Sequence, residues 1–454
     1  MRTPILAVLA AALANDPHQQ LAHDVFKELI EINTTNSVGS TTRAAEAMAA
    51  RLKAAGFPED DVRVVGPNER KGNLVARLRG TGARRPLLLL AHLDVVEARK
   101  EDWSVDPFIF LEKDGYYYGR GTTDDKAMAA IWIATLIRFK QEGLKPDRDL
   151  IVALTADEEG GDFNGVQWLV ANHRELIDAD YALNEGGGGS IKDGKYLANR
   201  VQASEKVYQD FTLAVKNAGG HSSLPVKDNA IYHLAAGLAR LAQFDFPVRL
   251  NEVTRAFFER MAATQPAPVG EAMRAVLRSP RPPGAVETLA RLPYLNAMMR
   301  TTCVATMLQG GHAANALPQT ATANVNCRML PGEAPEDVRT TLLGVLADEA
   351  ITVRPVAAAK PSPPSPLKPE VMGPIERVTQ QMWPGVIVVP VMGTGATDGL
   401  YLRQAGIPTY GVDGIFEDVD DTRAHGQDER IGIKQFYDGQ EFLYRLVKAL
   451  AGNP

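Results

Sequence analysis

The sequence predicts an α/β protein interrupted by a smaller α+β domain. Residues 86–91 and Leu150–Thr155 are near-continuous runs of Leu, Val and Ile, the pattern of strands buried on both faces. Between them Lys126–Gln141 reads as a helix, with Met128, Ile131, Trp132 and Phe139 on one side and Gly143 past its end. Strand, helix, strand is the grammar of an α/β sheet. From about Lys206 the texture changes to alternating, half-exposed strands, and it reverts after the proline-rich residues 360–369.

Taken in order, residues 21–32 and 41–55 have helical spacing, the second stopped by Gly56. Asn73–Leu78 and Tyr181–Asn184 are further short apolar runs. Within the insertion, 207–215, 301–308, Thr320–Met329 and 351–356 read as strands, and 229–242 and 335–350 as helices. Residues 245–299 carry several prolines and mixed helical signals. After the connector come a strand at 386–390, a helix at 398–405, a strand at 408–412 and a final helix at 435–451. The expected layout is an α/β domain in two parts, 15–205 and 359–454, around an inserted domain at 206–358. Residues 1–14 read either as a signal segment, with Ala12-Leu13-Ala14 resembling a cleavage site, or as a helix end. The first reading places the protein in the periplasm or outside the cell, the second in the cytoplasm.

A chain of 454 residues exceeds one ordinary core. Its net charge of -6 gives no reason to invoke nucleic acid, and no 18-residue apolar stretch predicts a membrane span. Cys303 and Cys327 have no zinc-knuckle spacing and read as buried free thiols.

The chemistry gathers just after the apolar strands. His92 and Asp94 follow the first, two residues apart and so on one side of an extended segment, where Asp94 is placed to orient the imidazole. Asp157-Glu158-Glu159 follows the second, Glu185 and four glycines follow Tyr181–Asn184, and Asp124-Asp125 ends a glycine turn. In open α/β sheets ligands bind at these carboxyl ends. Several carboxylates gathered there resist ionisation unless cations compensate, so a metal site is expected. Each signal alone has a plainer reading: a core histidine, a solvated acidic loop, a tight turn. Recurrence at one structural position, with His425 near the end, favours the metal.

HLDVV at 92–96, Trp103, DPF at 106–108, GRGTTDDK at 119–126, DEEGG at 157–161, NEGG at 184–187 and HGQDE at 425–429 together resemble the co-catalytic zinc peptidases. That family includes aminoacylase, glutamate carboxypeptidase, acetylornithine deacetylase and succinyl-diaminopimelate desuccinylase. The resemblance runs from about 20 to 450. Residues 301–311, 315–318 and 326–332 look closest to the carboxypeptidase and N-acyl-amino-acid hydrolase branch.

The resemblance implies a central mixed sheet flanked by helices, a lid formed by the insertion, and two Zn²⁺ ions, with Co²⁺ or Mn²⁺ able to substitute. Asp124 would bridge them, with His92 and Glu185 on one metal and Glu159 and His425 on the other. Glu158 would be the general base for a metal-held water, and a cis peptide is implied after Asp124. His221, otherwise a loop histidine beside a cap at Ser222 or Ser223, would stabilise the oxyanion. Asn315 and Arg328 would hold the substrate, Arg328 by its carboxylate, and the backbone at Gly395 would assist unless that stretch is only a helix entry capped by Thr397 or Asp398.

The implied substrate is a small peptide or an N-acyl amino acid. A homodimer through the lid follows for simple dimeric members, whereas residues 245–299 exceed their lid and would cover that surface. Two other classes compete: a non-catalytic binding protein on this scaffold, and a metal-free hydrolase using paired carboxylates.

Overall fold

The computed structural model describes residues 16–452, so residues 1–14 lie outside the described residues. The chain divides into two compact units. One comprises the chain up to Ala203, Ser365–Val391 and the chain from Thr397; the other comprises Ser204–Pro364 and Met392–Ala396.

The first unit is built on a mixed sheet in the order Val62–Val65, Asn73–Leu78, Leu150–Thr155, Leu87–His92, Tyr181–Asn184, Thr409–Gly411, Lys195–Glu205, Gly188–Lys192 and Phe416–Asp418, with Ile387–Gly393 also paired to Lys195–Glu205. Leu87–His92 lies between Leu150–Thr155 and Tyr181–Asn184 and runs parallel to both. Every residue of Leu87–His92 and Leu150–Thr155 is buried. Leu88, Leu90, Ile151 and Ala153 pack with Val166, Leu169 and Leu402. The helix Lys126–Gln141 packs on Leu87–His92, where Trp132 Nε1 donates to Leu90 O at 3.0 Å. Covered on both faces, these strands need apolar residues at every position. Three carboxyl ends therefore lie side by side: His92 ends one strand, Glu185 follows the next, and Glu158 and Glu159 follow the third.

The second unit holds an antiparallel sheet in the order Thr302–Gly310, Thr320–Met329, Val207–Lys216 and Ile351–Pro355. Phe211, Leu213 and Val215, alternate residues of one strand, join Leu234, Leu241, Leu342 and Leu346 of the helices Ala230–Leu241 and Pro335–Leu346 in one core. The stretch read as mixed signals is four short helices, Glu252–Met261, Ala267–Val276, Pro283–Ala290 and Pro293–Met299, three with proline in the first turn, where its missing N–H costs no hydrogen bond.

Cys303 and Cys327 are not free thiols. They face each other across paired strands and form a disulfide. Strand register, which sequence spacing does not reveal, makes them partners. Replacing both by Ala is expected to lower the stability of this unit by about 2–4 kcal/mol, read as a shifted denaturation midpoint. An unchanged midpoint would mean that strand pairing alone holds the two segments.

Among the described residues no helix is long and apolar enough to cross a membrane.

Candidate metal centre

His92 is 2 % exposed and ends its strand with both ring nitrogens engaged. Nδ1 lies 2.9 Å from the backbone oxygen of Asp94, and Nε2 lies 2.9 Å from Asp124 Oδ1. A carbonyl oxygen only accepts, so Nδ1 carries the hydrogen and Nε2 is left for a cation once unprotonated. The Asp94 carboxylate was the expected orienter of His92. It stands 3.7 Å from Nδ1 and instead accepts the backbone N–H groups of Glu158 at 3.1 Å and Glu159 at 2.9 Å. Asp94 thus touches the imidazole through its backbone and the acidic loop through its side chain.

Asp124 precedes the helix Lys126–Gln141, and its peptide bond to Asp125 is cis. Its two oxygens face different histidines: Oδ1 faces His92, and Oδ2 lies 3.1 Å from His425 Nε2. His425 Nε2 also lies 2.9 Å from Glu159 Oε1. Two ligand groups result, His92–Asp124–Glu185 and Asp124–Glu159–His425, each with its ligand atoms within 4.8 Å of one another and Asp124 in both.

The acidic loop is braced from below. Buried Asp157, in the left-handed region at φ 56°, pairs with Lys71, and Lys71 Nζ donates to Asn36 Oδ1 at 2.7 Å. After Glu185 the glycines are required by close approach: a Cβ on Gly187 would meet Gly411 O at 2.2 Å. Asp398 does not cap the helix Gly399–Gln404. Its carboxylate turns inward and accepts from Thr155 Oγ1 at 2.8 Å, while Thr397 Oγ1 accepts from Gly399 N at 3.2 Å.

The electrostatics follow from crowding acids in a poorly solvated place. Burial, then the charges of Asp124, Asp125 and Asp398, push the Glu185 carboxyl well above the usual range. Burial and the neighbouring Glu185 do the same to Glu158. Burial and Asp124 raise Glu159 to about 7, and burial raises Asp398 to about 6. The hydrogen bond that His425 donates to Asp124, with the charge of Glu159, raises His425 to about 9. Burial opposes a charge on His92, but Asp124, Asp94 and Glu185 outweigh it and hold its pKa well above normal. Acids that resist losing protons beside histidines that resist giving theirs up describe a pocket short of positive charge, which divalent cations bound by nitrogen and oxygen would supply.

Glu429, within the HGQDE motif, is a residue of this site that the sequence alone does not single out. This carboxylate is 0 % exposed and receives Arg120, Gly121, Thr123 and Asp124, so it braces the turn that presents Asp124. An isolated acid in a polar stretch carries no periodic signal that would single it out.

The remaining candidates lie in the second unit. His221 pairs with Ala316 in a two-stranded ribbon, and Ser222 N donates to Asn315 O at 3.0 Å, so His221 and Asn315 are neighbours. No helix starts at Ser222 or Ser223: the next begins at Ala230, capped by Asn229, and the Ser223 hydroxyl instead lies 2.7 Å from His221 Nδ1. Arg328 lies over the Tyr208 ring at 4.7 Å and donates to Thr394 O at 3.5 Å, beside Gly395.

Residues 88–449 match the model of Peptidase family M20/M25/M40. The chain is 30 % identical over 376 residues to the N-fatty-acyl-amino acid synthase/hydrolase of Homo sapiens, covering 80 % of this chain and 74 % of that protein. It is 28 % identical over 382 residues to a probable carboxypeptidase S-like protein of Dictyostelium discoideum, covering 80 % and 71 %. Its fold is similar to that of the M20 family metallo-carboxypeptidase of Sulfolobus solfataricus, with a TM-score of 0.68 at 17 % identity over 95 % of this chain and 99 % of that one. The chain therefore belongs to peptidase family M20/M25/M40, as an enzyme on its carboxypeptidase and N-acyl-amino-acid hydrolase branch.

Proposed function

We propose that this enzyme is a dizinc amidohydrolase that cleaves an amide bond next to a free carboxylate, in small peptides or N-acyl amino acids. The observation that carries the reading is Asp124, which turns one oxygen to His92 and the other to His425. His92, Asp124 and Glu185 would hold one cation, and Asp124, Glu159 and His425 the other. These nitrogen and oxygen donors suit Zn²⁺, and Co²⁺ or Mn²⁺ would also be accepted.

When bound, the cations would supply Lewis acidity and lower the pKa of the attacking water. Glu158 takes the proton from that water and passes it to the nitrogen of the leaving amine. Its burial beside Glu185 favours holding a proton between those two events. Asp94 keeps Glu158 and Glu159 in place through their backbone N–H groups. Arg328 receives the substrate carboxylate in a two-bond grip, helped by the backbone at Gly395, while Asn315 and His221 hold the amide and its developing oxyanion.

Metal binding is expected to release protons at neutral pH. His425 keeps its proton up to about pH 9 in the metal-free site, and a ligand must give it up. Zinc affinity should therefore rise with pH through neutrality. Calorimetric titration in buffers of different ionisation enthalpy reads the proton count, and zero release at pH 7 would contradict this ligand set.

Dipeptides and N-acyl amino acids share the free carboxylate and differ on the acyl side. The human relative supports the N-acyl substrate. A panel of both, each with its carboxamide counterpart, tests the reading. Free acids should be hydrolysed and carboxamides spared; equal rates on both would refute the carboxylate requirement.

The Cys303–Cys327 disulfide supports an oxidising location, periplasmic or extracellular. The edge strand Thr302–Gly310, with Val304, Met307 and Leu308 exposed, supports pairing with a second copy, to be read by sedimentation.

A further inference from the structure

We infer that Glu429 is a positioning residue that locks the Asp124 turn to the His425 loop, so that the two ends of the second ligand group move as one piece. This rests on the metal-site reading above. The carboxylate lies four residues past His425 and belongs to neither ligand group. It points into the turn that carries Asp124. Oε2 accepts from Arg120 Nη1 at 2.7 Å and Gly121 N at 3.0 Å. Oε1 accepts from Thr123 N at 2.7 Å, Thr123 Oγ1 at 2.9 Å and Asp124 N at 3.2 Å. The last of these bonds ends on the backbone of the bridging ligand itself.

The backbones repeat the connection. Gly119 N donates to Glu429 O at 3.1 Å, Arg120 Nη2 donates to Gly426 O at 2.9 Å, and Arg430 pairs with Tyr118 in an antiparallel ladder. Arg120, 2 % exposed, is held in turn over the Trp103 ring at 4.9 Å. His425 itself has little support of this kind. Residues 424–427 are exposed, and the polar partners of the imidazole are Asp124 and Glu159, both of which would become ligands. The spacing of His425 from Asp124 is therefore set from behind, by a buried anion that the turn's donors surround.

Glu429→Gln keeps the shape but turns an NH₂ toward N–H donors, so two or three of the five bonds are lost. Loss of such a supporting partner typically weakens a metal site by about 10–100-fold. Zinc-loaded protein is titrated with a competing chelator, and Co²⁺-loaded protein is examined by visible absorption. The expected result is a native enzyme that holds two equivalents and a Glu429→Gln variant in which one or both dissociate at least about tenfold more readily, with an altered Co²⁺ spectrum. Two equivalents held as in the native enzyme with an unchanged spectrum, whatever the change in Tm, would overturn the inference and leave Glu429 a fold-stabilising residue. A native enzyme that binds no metal would instead overturn the underlying metal reading. If Glu429→Gln does not fold, Thr123→Val removes one of the five bonds and decides the matter: weaker metal retention supports the assignment, and native retention overturns it.

Discussion

Replacing Glu158 by Gln is expected to lower kcat by about 10²–10⁴-fold, the usual contribution of a positioned general acid–base, while leaving KM and metal content near native. Glu158 belongs to neither ligand group, so a cation does not depend on it. Its carboxyl nevertheless feels the charges of Glu185, His92, Asp398 and Glu159. Gln keeps the volume and a hydrogen-bonding end but can no longer take a proton from water. The Glu158 backbone bond to Asp94 survives the change, so Glu159 should stay in place. Elemental analysis beside steady-state kinetics reads both halves. Loss of a metal equivalent in this variant would make Glu158 a ligand and remove the proposed base.

Asp124→Asn should do more. One residue serves both histidines, at 2.9 Å and 3.1 Å, and an amide offers one oxygen where the carboxylate offers two. The amide NH₂ cannot ligate, and it would meet either His92 or His425. Neither equivalent should survive dialysis. Activity should fall by more than about 10³-fold, since the several kcal/mol that cations contribute to the transition state are lost together. Far-ultraviolet circular dichroism separates this from unfolding. Retention of a single equivalent would show that Asp124 serves one metal and that the two positions are independent.

The parts of the fold that could be read from sequence are those where one physical demand dominates. Leu150–Thr155 is buried on both faces and so is apolar throughout; the helix Lys126–Gln141 buries every residue from Lys126 to Ile137. Lys195–Glu205 has no such signal, because its buried positions include Asn199, Gln202, Ser204 and Glu205 rather than an apolar run. Nor has Pro369–Met382, which opens directly on the proline-rich connector and carries Pro374 inside it. At the site, the residues that follow apolar strands were visible because strand ends announce them. Features fixed by tertiary register were not: the pairing of Cys303 with Cys327, the inward turn of Asp398, and the burial of Glu429 among donors from a segment some three hundred residues earlier. Asp94 lies between these cases. The spacing His92-Leu93-Asp94 sets it beside the imidazole, but the service of its carboxylate to the acidic loop depends on the tertiary fold.

On the reading proposed above, the crowded acids between His92 and His425 exist to hold two cations that perform hydrolysis. Metal content of the purified enzyme, measured together with hydrolysis of a dipeptide and an N-acetyl amino acid before and after chelation, tests it most directly. The expected result is about two zinc ions per chain, as a two-metal site requires, with activity lost on chelation and restored by zinc. An enzyme without bound metal whose activity survives exhaustive chelation would contradict the assignment of His92, Asp124, Glu159, Glu185 and His425 and return the paired carboxylates to consideration as a metal-free catalyst.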